Sequence, residues 1–153
     1  MKVSTKGRYA LRLMTELARA DRDVCLSIKE ISERQGISEK YLEQIVRPLK
    51  QAGLVTSIRG AQGGYRLCDE PENITVGQVL RVTEGDLAPV SCVSDEDEKA
   101  WSMADSCETI FIWRSMKEAI DKVADSITMA DLAVRKANCA AATVERIQAL
   151  SSK

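Results

Sequence analysis

Ser27-Ile28-Lys29-Glu30-Ile31-Ser32-Glu33-Arg34-Gln35-Gly36, then Ser38 to Ala52, then Val55-Thr56-Ser57-Ile58-Arg59-Gly60-Ala61-Gln62-Gly63-Gly64-Tyr65-Arg66-Leu67, follow one another closely. The order predicts two short helices and a glycine-rich hairpin. Ser27 and Glu30 form an S-x-x-E capping box that starts the first helix, and Gly36 ends it. Ser38 caps the second, in which Leu42, Ile45, Val46 and Leu49 make an inward stripe. Glu39, Lys40, Glu43, Gln44 and Arg47 fall on the opposite face. Pro48 removes a helix hydrogen bond and is expected to bend the last turn; Gly53 is the expected stop. Val55–Ile58 and Tyr65–Leu67 read as strands, joined by a loop whose glycines allow positive φ and close approach to a phosphate. Two helices followed by a β-hairpin are what a winged helix-turn-helix requires.

Working outward, residues 5–20 read as an amphipathic helix with Ala10, Leu13, Met14 and Leu17 at helical spacing. Thr75 with Gln78 is a second capping box and opens a helix around Val79, Leu80 and Val82. Residues 84–106 are weakly patterned and hold Pro89, Cys92 and the acidic run Asp95-Glu96-Asp97-Glu98. A loop of that length in a compact chain is functional or disordered. Trp113, Met116, Ile120, Val123 and Ile127 then alternate spacings of 3, 4, 3 and 4. So narrow a seam predicts pairing with a second copy of the chain. Thr128 caps a last helix beginning Met129-Ala130-Asp131-Leu132, and an Ala-rich tail follows from Ala137.

These elements predict a mainly α chain in four parts. They are a winged helix-turn-helix DNA-binding unit over 1–83, a cysteine-containing sensor loop over 84–106, a dimerisation helix with a C-terminal helix over 107–136, and a tail over 137–153. A chain of 153 residues suits one core with a small appendage. No run approaches the ~18 apolar residues of a membrane span, and the N-terminus lacks the apolar block of a secretory signal, so a cytoplasmic protein is expected.

The net charge of −1 conceals a polarity. Residues 1–67 carry 13 Lys or Arg against 7 Asp or Glu, whereas residues 68–153 carry 9 against 16. A basic N-terminal half suits phosphate binding, and an acidic C-terminal half faces away from DNA. The residues placed for base edges are Glu39, Lys40, Tyr41, Glu43 and Gln44, in the first turns of the second helix. Gln44 can pair with adenine and Glu43 can accept from the cytosine amino group. Arg47 and Lys50 are placed for phosphates, as are Lys2, Lys6 and Arg8. Ser38 and Gly60 flank the two contact segments, and Arg59 at the hairpin tip is placed for a minor groove.

Histidine is absent, which excludes Ser-His-Asp and Cys-His catalytic pairs and every His-containing zinc site. There is no Gly-rich nucleotide loop, so an enzyme is not expected. Five cysteines in a cytoplasmic chain read as reduced thiols. Cys25 precedes a helix N-terminus, where thiolate is favoured, and is a redox candidate. Cys68 and Cys139 read as packing residues.

Met-Lys-Val-Ser-Thr-Lys-Gly-Arg-Tyr-Ala (1–10), Ile-Ser-Glu-Lys-Tyr-Leu-Glu-Gln (37–44), Gly53-Leu54-Val55, Ser57-Ile58-Arg59-Gly60 and Gly63-Gly64-Tyr65 resemble the Rrf-two family of bacterial regulators. The likeness runs to about residue 133. It implies a homodimeric winged-helix regulator of double-stranded DNA, with Glu43 a base reader and Arg59 a minor-groove reader. The family includes cluster-sensing regulators of the IscR and NsrR kind and CymR-like regulators of cysteine metabolism. Cluster-binding relatives place three cysteines before the long helix. This chain matches the first at Cys92 and the last at Cys107, whereas Lys99-Ala100-Trp101-Ser102 offers no thiol and Ile110 stands where some relatives have histidine. Two thiolates do not complete the four-ligand shell of a [2Fe–2S] cluster, and a loop carboxylate or the partner subunit's Glu33 would have to help. Three readings stay open: a cluster at Cys92 and Cys107, a thiol redox sensor using these or Cys25, and control by a small molecule or a partner enzyme of cysteine metabolism.

Overall fold

The computed structural model describes residues 3–94 and 107–134. The expectations for Lys2, for the acidic run and Lys99–Ser102, and for the tail with Cys139 fall outside the described residues. The first helix, α1 (Thr5–Arg19), starts at Ser4, whose side chain accepts the Lys6 and Gly7 N–H groups. Its apolar stripe, Ala10, Leu13, Met14 and Leu17, is buried. Helix α2 (Ile28–Gln35) opens with the Ser27–Glu30 capping box and ends at Gly36, which takes the left-handed conformation at φ 64°.

Helix α3 (Glu39–Gln51) is capped by Ser38 and buries Leu42, Ile45, Val46 and Leu49. Each such burial is worth about 1.5–3 kcal/mol. The helix continues through Pro48, since only one N–H is lost there. It closes with Gly53 N–H on Lys50 O and Leu54 N–H on Leu49 O, the paired bonds of a Schellman stop.

Strands β1 (Val55–Ile58) and β2 (Gly64–Leu67) pair antiparallel, Val55 opposite Leu67 and Ile58 opposite Gly64. A contact not read from the sequence joins them: Leu26 exchanges both backbone hydrogen bonds with Tyr65. The hairpin is thereby fixed to the segment that leads into α2.

After a 3₁₀ turn at Pro71–Asn73, α4 (Val76–Glu84) opens with the Thr75–Gln78 capping box. A second 3₁₀ turn, Ser91–Val93, precedes the long helix α5 (Ile110–Ser126), and α6 (Met129–Ala133) follows behind a Thr128–Asp131 capping box. Val76 N–H bonds Ile127 O, and Met129 N–H bonds Ile74 O, which pins the end of α5 beside the start of α4. Met129 is fully buried in the same core as Ala10, Leu13 and Met14, and α6 lies on α1. No described helix is long and apolar enough to cross a membrane.

The expected α5 seam divides. Trp113, Ile120 and Ile127 are half-buried and turn towards the chain's own body, with Ala124 buried beside them. Met116 and Val123 are 41% and 50% exposed. With Ile112 and Ala119 they make the outward stripe, at spacings of 4, 3 and 4. A heptad pattern sets spacing but not the rotation of the helix about its axis, and packing on α4 decides that rotation here.

A candidate nucleic-acid interface

The buried stripe of α3 turns Glu39, Lys40, Glu43, Gln44, Arg47 and Lys50 to solvent. Among the described residues, the side chains of Lys40, Glu43, Gln44 and Arg47 form no hydrogen bond or ion pair. Four long polar side chains without internal partners on one helix face remain available for an external ligand. Two expected contact residues have structural work as well. The Ser38 hydroxyl accepts the Tyr41 N–H as the helix cap. The Tyr41 ring is half-buried and meets Tyr9 edge-on, centroids 5.8 Å apart, while the Arg12 guanidinium lies 5.5 Å from the Tyr9 ring.

The hairpin stands beside α3. Lys50 Nζ donates to Ser57 Oγ, so this lysine bridges helix and wing, a contact that its expected phosphate role did not anticipate. Between the two elements is an open groove of about 430 Å³, lined by Glu43, Val46, Arg47, Lys50, Gln51 and Tyr65. Arg59 and Gly60 sit exposed at the tip. Gly60 has φ 121°, in the region that disfavours side chains, and its carbonyl accepts Gly63 N–H. A Cβ at Gly63 would run into Ile58 O, so the sharp tip depends on that glycine. Lys6 and Arg8 lie in the first turn of α1, Lys6 half-buried and Arg8 exposed.

Behind this surface, one carboxylate is buried. Glu16, 7% exposed, accepts from Gln35 Nε2 at 2.7 Å and from Arg19 at 3.0 Å, with Arg34 at 3.6 Å. Arg12 in turn holds Gln35 through its side chain and its carbonyl, both at 2.7 Å. The network joins α1 to the last turn of α2 just before α3. Periodicity did not reveal it, because a glutamate at the edge of an apolar stripe reads as solvated.

The cysteines are placed unequally. Cys25 is half-buried and adjoins Leu26 of the hairpin contact. Cys68 is exposed, which corrects its reading as a packing residue: it sits in the turn leaving β2, where only its backbone is held, by Leu54 O. Cys92 is exposed in the Ser91–Val93 turn, which rests on α5. Cys107 is half-buried three residues before α5, its Sγ 3.4 Å from Thr109 Oγ1. That side-chain bond, with backbone N–H groups of Thr109 and Ile110, holds the thiol below its ordinary value. The described residues offer no group of three or more Cys, His, Asp or Glu able to hold a metal ion. Two thiols do not fit a four-ligand cluster shell by themselves.

Comparison with known proteins agrees with this geometry. The family described as "Rrf2: Iron-dependent Transcriptional regulator" matches residues 3–135. The HTH-type transcriptional regulator CymR of Bacillus subtilis is 45% identical over 133 residues, 87% of this chain and 90% of that protein. IscR of Aliivibrio salmonicida is 37% identical over 134 residues, 88% of this chain and 78% of its own length. The solved structure of CymR, titled the global cysteine regulator of B. subtilis, superposes with a TM-score of 0.71 over 87% of this chain and 96% of that one. These relatives are regulators and not enzymes, and their fold is the winged helix found here. A family model that matches residues 3–135, with relatives 45% and 37% identical over most of the chain, places this protein in the Rrf2 family of transcriptional regulators.

Proposed function

We propose that the protein is a cytoplasmic, homodimeric repressor that binds a pseudo-palindromic operator. The observation that carries this reading is the set of side chains without internal partners on α3, Lys40, Glu43, Gln44 and Arg47, standing beside the Arg59 wing. In it Glu43 accepts from a cytosine amino group and Gln44 pairs with adenine, with Ser38, Lys40 and Tyr41 contributing from the start of the same helix. Arg47, Lys6 and Arg8 neutralise phosphates. Arg59 enters the adjacent minor groove, where narrow geometry favours arginine, and Gly60 lets the backbone follow. The outward stripe Ile112, Met116, Ala119 and Val123 meets its counterpart on a second copy. Selection of binding sequences from a random duplex pool tests the reading. Recovery of a two-fold motif with half-sites one or more helical turns apart supports it; recovery of no motif at physiological salt sinks it.

For the signal, thiol chemistry in the loop that carries Cys92 and Cys107 is favoured by the bond that holds the Cys107 thiol low. Likeness to a protein titled a cysteine regulator supports control by sulfur status, directly or through a partner enzyme of cysteine metabolism. A [2Fe–2S] cluster is the other reading, supported by the iron-dependent description of the family, and it needs ligands beyond these two cysteines. Iron content and visible absorption of protein purified without oxygen separate them. Stoichiometric iron lost in Cys92→Ser or Cys107→Ser selects the cluster. Iron-free protein whose operator affinity changes on thiol oxidation selects the thiol.

A further inference from the structure

Glu84, the last residue of α4, makes contacts that its own helix does not explain. Its Oε1 accepts the Ser4 hydroxyl at 2.6 Å and its Oε2 accepts the Ser4 N–H at 3.2 Å. The same Ser4 oxygen accepts the Lys6 and Gly7 N–H groups of α1, at 3.1 and 3.3 Å. A carboxylate on one helix is thus relayed through a single hydroxyl onto the N-terminus of another. Helix α1 has no acidic residue in its first turn and carries Lys6 and Arg8 there instead. Cations are unfavourable at the positive end of a helix dipole. Glu84 supplies from α4 the negative charge that the sequence of α1 lacks.

Gly7 makes the arrangement specific. It is buried, and a Cβ built on it would overlap Glu84 Oε1, with Glu84 Cδ at 3.0 Å and Val3 Cγ1 at 3.2 Å. A methyl group at position 7 and the carboxylate in its present place exclude one another.

We propose that Glu84 is a positioning residue for DNA binding, holding the first turn of α1 so that Lys6 and Arg8 meet phosphates. The proposal rests on the phosphate role given to those two residues above, and its test separates the two. Operator affinity is measured across a range of salt for the full chain, for Glu84→Ala, Glu84→Gln, Gly7→Ala and Gly7→Ala/Glu84→Ala, and for Lys6→Ala/Arg8→Ala with and without Glu84→Ala. Circular dichroism verifies folding throughout.

Losing both cations is expected to flatten the log–log salt slope by about two, about one for each phosphate contact. Glu84→Ala is expected to flatten it by at least half as much and to add little once Lys6 and Arg8 are gone. Glu84→Gln keeps an acceptor but no charge and falls between. Gly7→Ala matches Glu84→Ala, and the double variant is no worse than Glu84→Ala alone, because the methyl then meets only the Val3 side chain, which moves aside. If Lys6→Ala/Arg8→Ala flattens the slope while Glu84→Gln and Glu84→Ala leave it unchanged, the positioning role is overturned and the phosphate reading stands. Full additivity of Glu84→Ala with the cation losses also overturns it. If the cation losses themselves do nothing to affinity or slope, the phosphate reading fails and the proposal fails with it.

Discussion

Arg81 grips Asp125 with both of its terminal nitrogens, Nη1 to Oδ1 at 2.7 Å and Nη2 to Oδ2 at 2.9 Å. The same Nη2 reaches Asp121 Oδ1 at 2.6 Å, so one guanidinium on α4 ties together two turns of α5. Two-point geometry restricts rotation as well as distance, so this joint fixes how α5 sits on α4.

Gly77 lies beneath this joint, where a Cβ would overlap Asp125 Oδ1 and approach Arg81 Nη1 to 2.7 Å. Gly77→Ala is therefore expected to destabilise the fold by about 1–3 kcal/mol, as overpacking does. In an Asp125→Ala background most of that loss should vanish. Urea unfolding of the four proteins in the cycle measures it; an equal cost of Gly77→Ala in both backgrounds would show that the carboxylate is not what the methyl meets.

Acid should loosen the same joint. Burial by itself would raise the Asp121 carboxyl, but hydrogen bonds from Arg81 and Lys117 outweigh it and hold the group below its ordinary value. A carboxyl lowered by folding stabilises fully above its unfolded pKa of about 3.9, and that contribution is lost as pH falls through the folded value. Asp121→Asn should lower stability at neutral pH and make the decline below about pH 4 shallower. Thermal melts from pH 7 to pH 3 check both limbs.

Arg47 and Arg59 should respond differently to DNA sequence. Arg47→Ala is expected to weaken operator and scrambled duplex alike and to reduce the salt slope by about one. Arg59→Ala is expected to cost about 1–3 kcal/mol on the operator, with a smaller loss on scrambled DNA. Fluorescence anisotropy titrations at two salt concentrations distinguish them. Equal losses on both duplexes for Arg59→Ala would reduce it to a phosphate contact.

A charge on the outward stripe of α5 should break assembly without harming the monomer. Val123→Glu and Met116→Glu replace residues already 50% and 41% exposed in the single chain, so the fold is expected to lose little. Sedimentation should show monomers, and operator affinity should fall at least tenfold because half-sites are then bound singly. Ile120→Glu, at a half-buried position of the same helix, should instead lower the melting temperature.

Local signals were legible wherever the chain decides structure within a few residues. The capping residues Ser27, Ser38, Thr75 and Thr128 and the stops at Gly36 and Gly53 all stand at helix boundaries. The buried stripe of α3 consists of the residues its periodicity named, which is why its solvent face was also readable. What escaped was contact across sequence distance. The Leu26–Tyr65 pairing, the Lys50–Ser57 bridge, the Glu16 network and the Ser4–Glu84 relay each join polar groups whose spacing carries no period. The α5 seam was half legible: its repeat marked an apolar helix, but only packing on α4 chose which side faced out. Cys68 misled because composition ranks free cysteine as buried, whereas a turn exit leaves its side chain nothing to pack against.

Met129 is buried in one core with Ala10, Leu13 and Met14 of the first helix and with residues of the helices between them. During translation at about 5–20 residues per second, α3 leaves the ribosome several seconds before that residue does. Until Met129 arrives, the part of α1 on which α6 packs is uncovered and the core is unfinished. Since α5 lies between α1 and Met129 in the sequence, every chain that completes this core has already made α5. Order of synthesis thereby makes completion of the core wait for the whole of α5.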